Sequence, residues 1–210
     1  MLTPESTRIH EAGHALILAS TGHQHLLVEI QSEADENSGA RNVIAGYSEI
    51  EGGWPVWVQP GFDRDTEIAL SLMAFGGMAA EIAVLERRPK EGWLLDMFGA
   101  AVRVALLGHA PRQETRSIAK QLDVEKSDRT IELLRRLREI TAVHSQLDFM
   151  EIMRDLEQEA LQRAKASVLA LKRIAEAIRE NPVLRAVDIL RILDSTPWCG
   201  VLGSPQIRSL

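Results

Sequence analysis

The pattern of apolar and polar positions divides the chain into a short mixed region and a long helical remainder. Apolar residues recur with a helical period over residues 4–21, and Gly22 follows as a helix stop. Three short runs that are rich in β-branched or aromatic residues come next, separated by glycine-containing turns. They cover residues 26–31, 42–50 and 54–59. The pattern predicts a small antiparallel sheet near the N-terminus, directly behind the first helix.

The rest of the chain, after Pro60, has a helical period throughout. Asn181-Pro182 breaks the pattern near its end, and the final residues are rich in Gly, Pro and Ser. We therefore predict a mainly α (α+β) protein with a single domain over residues 1–194 and a flexible tail over 195–210. The predicted helices cover approximately residues 63–87, 93–108, 113–122, 128–146, 148–180 and 184–194.

Composition narrows the classes of function. The 210 residues are 45% hydrophobic and only 4% aromatic, with a net charge of −6. An acidic surface repels phosphate backbones, so we expect no nucleic-acid partner. The single cysteine, Cys199, cannot form an internal disulfide, which suits a reducing compartment. We see no apolar run approaching the roughly 18 residues of a membrane span and no signal peptide, and so expect a cytoplasmic protein without a membrane partner.

The first helix carries the candidate chemistry. His10 and His14 are four residues apart, and Glu11 follows the first histidine. Residues at this spacing lie one above the other, about 6 Å apart along the helix axis. This is the H-E-x-x-H arrangement, in which two histidines bind Zn²⁺ and the glutamate acts as general base. The alternative is a helix with solvated surface histidines, but Gly13 costs about 1 kcal/mol in a helix interior and indicates a packing or access requirement.

A catalytic zinc requires a third protein ligand. His23 and His25 lie just past the helix and are interpreted as surface or strand-edge residues. The remaining candidates are carboxylates on later helices, chiefly Glu81 and Asp96. The spacing of residues alone leaves this choice open.

Four stretches together resemble a known family. They are "HEAGHAL" at 10–16, "AGYSE" at 45–49, "FGGMAAEI" at 75–82 and "GWLLD" at 92–96. In order and approximate separation they resemble the peptidase domain of the membrane-anchored AAA+ zinc metalloproteases of the FtsH type. The resemblance spans roughly residues 8–194. It implies a helical, zincin-like peptidase domain and a zinc metalloendopeptidase activity.

The same resemblance implies roles for individual residues. Asp96 corresponds to the third zinc ligand of the family. Glu81 is assigned to orient a zinc-bound histidine by accepting its outer N–H, or to pair with an arginine, and it stays the alternative ligand. Ala45, Gly46 and Tyr47 correspond to an edge strand on which an extended polypeptide substrate can add as a further strand.

The departures from the family define the alternatives. Lys90-Glu91 replaces a Thr-Thr pair, Leu95 replaces a polar residue, and neither a phosphate-binding loop nor a membrane anchor is found. The resemblance therefore implies a stand-alone, ATP-independent peptidase domain that cleaves unfolded or extended polypeptides. A separate ATPase or unfoldase is an expected partner, and the family's hexameric rings make a homo-oligomer an expectation too. The alternative is a catalytically silent interaction module that has kept the fold, with or without the zinc.

Overall fold

The computed structural model describes residues 4–27, 29–34, 41–45, 63–87, 93–125, 130–144, 148–181 and 183–206. Over these residues the chain is mainly helical, as the sequence predicted. The helices are α1 (Pro4–Ser20), α2 (Arg64–Ala74), α3 (Gly76–Leu85), α4 (Trp93–Leu107), α5 (Arg112–Glu125), α6 (Thr130–His144), α7 (Phe149–Lys165), α8 (Val168–Glu180) and α9 (Ala186–Asp194).

Three short segments are extended and paired. β1 pairs antiparallel with both of its neighbours, in the order β2-β1-β3. β1 begins later than the strand predicted at 26–31, because Gln24–Leu26 forms a 3₁₀ turn. The strand predicted at 54–59 and residues 46–50 lie outside the described residues. The strands are β1 (Ile30–Ala34), β2 (Arg41–Ala45) and β3 (Val183–Leu184).

Helix α1 lies at the centre of the core. Its C-terminal half has no exposed apolar surface, since Leu16, Ile17, Leu18 and Ala19 are all fully buried. A helix that is apolar on every side must be covered on every side. Helices α2, α3, α7 and α8 all contact α1 and provide that cover.

The helix predicted at 63–87 is two helices, so the single-helix prediction was wrong. Phe75 separates α2 from α3. At this break the backbone of α3 comes close to that of α1: a Cβ added to Gly13 would lie 2.2 Å from the carbonyl oxygen of Gly76. Only glycine permits such an approach of two backbones. The break therefore determines how closely α3 packs against α1, the helix that carries the histidines.

The helix predicted at 148–180 is also interrupted. Helix α7 ends at Lys165 and α8 begins at Val168. The hydroxyl of Ser167, which is buried in the interruption, accepts a hydrogen bond of 3.0 Å from the backbone N–H of Cys199. Because Cys199 is far from Ser167 in the sequence, the pattern of apolar residues over 148–180 does not indicate the break.

The segment predicted as a flexible tail makes several contacts. The backbone N–H groups of Leu202 and Gly203 donate to the carbonyl oxygen of Ser20 at 2.8 and 3.2 Å. The hydroxyl of Ser204 donates to the carbonyl oxygen of Asp65 at 3.3 Å. These bonds hold this part of the segment against the ends of α1 and α2. Residues 207–210 lie outside the described part of the chain.

One helical stretch is long and apolar enough to cross a membrane by length and composition alone. It covers Arg64–Leu85, which is α2 and α3 together, and our expectation that no run approaches a membrane span was wrong for it. However, 78% of its most apolar window is buried within the protein. Helices α1, α4 and α7 surround it, so it is consistent with a core element of a soluble protein.

Candidate metal centre

Two imidazole rings project from the same face of α1. His10 and His14 have ring centroids 4.7 Å apart and an interplanar angle of 80°. His14 is 5% exposed, whereas His10 is partly exposed. The spacing of four residues on a helix brings the two rings together in this edge-to-face arrangement.

The third member of the cluster comes from the first turn of α4. The Oδ2 atom of Asp96 lies 2.9 Å from Nε2 of His10 and 3.6 Å from Nε2 of His14. One ligand atom from each of the three residues lies within 4.8 Å of the others. The fold thus brings His10 and His14 together with Asp96, the third ligand implied by the family resemblance, across more than 80 positions of the chain.

The other ring nitrogens are fixed by hydrogen bonds. Nδ1 of His10 donates to Oε1 of Glu81 at 2.8 Å, and Nδ1 of His14 donates to the carbonyl oxygen of Met73 at 2.9 Å. A donor at Nδ1 leaves Nε2 as the basic nitrogen of a neutral imidazole, and such bonds hold the ring orientation of metal-binding histidines. Both Nε2 atoms therefore face Asp96 with the lone pairs that a metal requires.

The carboxylate of Asp96 supports the assignment of a cation site. Its Oδ2 atom is buried and makes no hydrogen bond with any described group. A buried carboxylate oxygen without a partner is costly. Opposite it stand two imidazole nitrogens that act as acceptors when the rings are neutral, so a proton, a hydrogen-bond donor or a cation between them is needed to remove the repulsion. Two nitrogens and one carboxylate oxygen form a ligand set of catalytic zinc sites.

The electrostatics of the cluster favour positive charge. Burial disfavours the charged form of His10, but the nearby carboxylates of Asp96 and Glu81 outweigh burial and raise its pKa to about 10. Burial likewise opposes ionisation of Asp96, but the charges of His14 and His10 outweigh it and lower the pKa of that carboxyl. Both shifts reflect attraction between the carboxylates and a positive charge at Nε2. A divalent ion bound there would take the place of the proton.

Glu11 faces the same cluster. Burial raises the pKa of its carboxyl, the neighbouring His14 and His10 lower it, and Asp96 raises it. All three candidate ligands are therefore within electrostatic reach of Glu11. A carboxylate with a raised pKa beside a metal site matches the requirements of a general base near neutral pH.

Glycine residues create the space for the histidine rings. A Cβ added to Gly77 would lie 2.4 Å from both Cε1 and Nε2 of His10, so the ring occupies the volume that a side chain would fill. The Gly13–Gly76 approach brings α1 against α3 at the next turn. The pair Gly76-Gly77 in the sequence was a signal for this packing.

The remaining predicted site residues are only partly described. Ala45 ends β2, a strand that contacts α1, whereas Gly46 and Tyr47 lie outside the described residues. His23 lies apart from the cluster and pairs with Asp65, with 3.4 Å between Nε2 and Oδ2.

Sequence reasoning did not find the carbonyl group of Met73, because a backbone acceptor leaves no trace in residue type. It also missed two buried arginines. Arg103 donates to Oε2 of Glu67 at 2.5 Å, and Arg163 donates to the hydroxyl of Ser20 at 2.9 Å.

The comparisons with protein families and with curated proteins gave no match. The functional assignment therefore depends on the geometry of the cluster and on the resemblance of the four sequence stretches.

Proposed function

We propose that the protein is a zinc metallopeptidase that hydrolyses peptide bonds in unfolded or extended polypeptides. One observation carries the proposal: the buried Oδ2 atom of Asp96 has no hydrogen bond and faces the Nε2 atoms of His10 and His14. Without a positive charge between them, either a proton on His10 or a bound metal ion, three such groups would be expensive to bury. The position of Glu11 beside the cluster adds the group that distinguishes a hydrolase from a structural metal site.

The residues of the chain have separate tasks in this proposal. His10, His14 and Asp96 would hold the zinc, while Glu81 and the carbonyl group of Met73 keep the rings oriented. When bound, zinc supplies Lewis-acid chemistry that activates water and polarises a carbonyl group. Glu11 would accept the proton of the attacking water and deliver it to the leaving amine.

The substrate is proposed to bind as an extended strand. Strand β2 contacts α1, the helix that carries the histidines, and Ala45 ends that strand. A polypeptide added along Ala45, Gly46 and Tyr47 would bind through backbone hydrogen bonds, which are accessible only in an unfolded chain. From the family resemblance we also propose a homo-oligomer such as a hexamer and a separate ATPase or unfoldase that supplies unfolded chains. The single cysteine suits a reducing compartment, and on that ground we propose a cytoplasmic location.

The ligand set is tested by measuring zinc content and zinc affinity of Asp96→Ala. We expect one zinc per chain in the wild type and at least about a 100-fold loss of affinity in the variant, since even groups behind the ligands change affinity by about 10–100-fold. Asp65→Ala is the matched control, because Asp65 is an exposed aspartate at the start of another helix. Wild-type affinity in Asp96→Ala would exclude this ligand set and make Glu81 the next candidate.

Catalysis is tested separately with Glu11→Gln, because an amide cannot accept a proton from water. We expect the variant to keep zinc and fold and to lose cleavage of unfolded casein by at least about 100-fold, the lower range for general-base catalysis. Glu5→Gln on the exposed first turn of α1 is the control and should cleave at the wild-type rate. If the wild type also cleaves nothing while it binds zinc, the silent interaction module becomes the better interpretation.

The substrate class is tested with one protein in two states. Opening a stable domain costs about 5–15 kcal/mol, so the cleavable population of a folded protein is very small. We expect the wild type to digest a destabilised mutant of a small globular domain without ATP and to leave the stable parent intact. Equal digestion of both would contradict the strand-addition account.

A further inference from the structure

A pocket lies between α4, α6 and α7, and it shares no residue with the histidine cluster. It is a pocket of about 340 Å³, at the lower end of the roughly 300–1,000 Å³ that is usual for small-molecule sites. Its apolar lining consists of Phe75, Met97, Leu134, Phe149, Met150 and Met153. Three methionines give the pocket an adaptable wall that suits flexible apolar ligands.

The polar part of the pocket is cationic. Arg135, Arg138 and Arg154 also line it, with Glu157 as the single acid. The lining thus carries three arginines against one acid, whereas the chain as a whole has a net charge of −6. The pocket thus combines an apolar floor with a positive rim.

The arginines differ in how they are engaged. Arg135 donates to Glu132 at 2.7 and 3.1 Å and to Glu139 at 2.6 Å, so two carboxylates already neutralise it. Arg138 and Arg154 are exposed and make no hydrogen bond or ion pair with another residue in the described part of the chain. Their guanidinium groups are therefore available to an anion at the pocket mouth.

We propose that this pocket binds an amphipathic carboxylate of the fatty-acid type. The alkyl chain lies on the Phe and Met side chains, and the carboxylate binds Arg138 and Arg154 at the rim. Guanidinium groups bind carboxylates with charge-assisted, frequently bidentate hydrogen bonds. The inference is independent of the proposed peptidase activity, because none of the lining residues belongs to the histidine cluster.

The experiment is isothermal titration calorimetry with dodecanoate, held below the concentration at which it forms micelles. Far-UV circular dichroism on the same samples shows whether the fold is kept. We expect one dodecanoate per chain, at least about 10-fold weaker binding of butyrate because it lacks most of the apolar chain, and no comparable binding of dodecyltrimethylammonium, whose head is cationic.

Two double variants test the rim. Arg138→Gln with Arg154→Gln should weaken dodecanoate binding by at least about 10-fold, which equals about 1.4 kcal/mol, since both guanidinium groups proposed to bind the carboxylate are lost. Arg179→Gln with Arg191→Gln changes the net charge equally at exposed positions on α8 and α9 and should leave the affinity unchanged. Met150→Glu, which places an anion on a side chain that is 45% exposed at the pocket, should also weaken binding.

The proposal is overturned if the wild type shows no saturable binding with one ligand per chain. It is also overturned if the two double variants bind dodecanoate equally, or if dodecyltrimethylammonium binds as tightly as dodecanoate. Zinc content does not enter any of these measurements, so the result is separate from the test of the metal centre.

Discussion

Replacing Gly77 with alanine tests whether the fit between α3 and His10 sets metal affinity. The added Cβ would lie 2.4 Å from Cε1 and Nε2 of His10, whereas carbon atoms normally approach to about 3.5–4.0 Å. The ring must therefore move by about 1 Å. Metal sites tolerate deviations of only about 0.2 Å in ligand distances, so His10 cannot remain a ligand in its present position.

The consequences for zinc affinity and for stability differ in size. We expect Gly77→Ala to lose at least about 100-fold in zinc affinity, which equals about 2.7 kcal/mol. Without metal the change is smaller, because alanine favours a helix by about 1 kcal/mol over glycine and overpacking costs about 1–3 kcal/mol. The free energy of unfolding in the presence of a chelator should therefore fall by no more than about 2 kcal/mol.

The assay combines competition for zinc against a chelating dye with urea unfolding in the presence of a chelator. Gly108→Ala is the matched control, since its Cβ would lie 2.8 Å from Cγ2 of Thr141 at the far end of α4. The control should lose stability by overpacking and keep wild-type zinc affinity. Wild-type affinity in Gly77→Ala would refute the reasoning, and an equal loss in both variants would show that general destabilisation is the cause.

Three further predictions concern the fold. Gly13→Ala places a Cβ 2.2 Å from the backbone oxygen of Gly76, which cannot rotate away. The free energy of unfolding in urea should therefore fall by about 3 kcal/mol or more, and an unchanged midpoint would contradict the close packing of α1 on α3. Arg103→Met leaves the buried Glu67 without this arginine and should lower the free energy of unfolding by about 3–5 kcal/mol. Adding Glu67→Leu should recover most of that loss, and additive losses in this double-mutant cycle would refute the pairing. Asp63 caps α2, and the backbone hydrogen bond that it accepts lowers the pKa of its carboxyl from 3.8. Asp63→Ala should therefore be less stable than wild type above pH 3.8, and this difference should shrink as the pH falls below that value, whereas Asp63→Asn should retain part of the cap. A stability difference that is independent of pH would contradict the charge contribution.

The sequence predicted the helices well because their apolar period is strong and local. Helix α1 was expected over 4–21 and covers Pro4–Ser20, with Gly22 at a φ of 85° two residues after its end. The breaks at Phe75 and Ser167 were not predicted. Each depends on a partner far along the chain, and a hydrogen bond from Cys199 to Ser167 does not alter the apolar period of the helix that it interrupts.

Only part of the candidate site could be predicted from the spacing of residues. His10, His14 and Glu11 follow from helical spacing, since residues four apart share a face. Asp96 could be separated from Glu81 only by a family resemblance, because the approach of α4 to α1 is a tertiary event. In the fold the two carboxylates take opposite sides of His10: Asp96 is close to Nε2 and Glu81 binds Nδ1. The carbonyl group of Met73, which holds His14, has no counterpart in residue type at all.

The central position of α1 has a consequence for how the chain reaches its native state. This helix is synthesised before the others, yet it packs against α8 and accepts backbone hydrogen bonds from residues 202–203 through Ser20. Contacts over such sequence separations slow folding, because a long loop must close before they form. A nascent α1 therefore leaves the ribosome with its apolar surface uncovered; α2 and α3 can cover part of it early, but the side that packs against α8 stays uncovered until Val168–Glu180 has been synthesised. We expect this helix to be a binding segment for chaperones during synthesis, and the histidine cluster to form only after α4 has joined it.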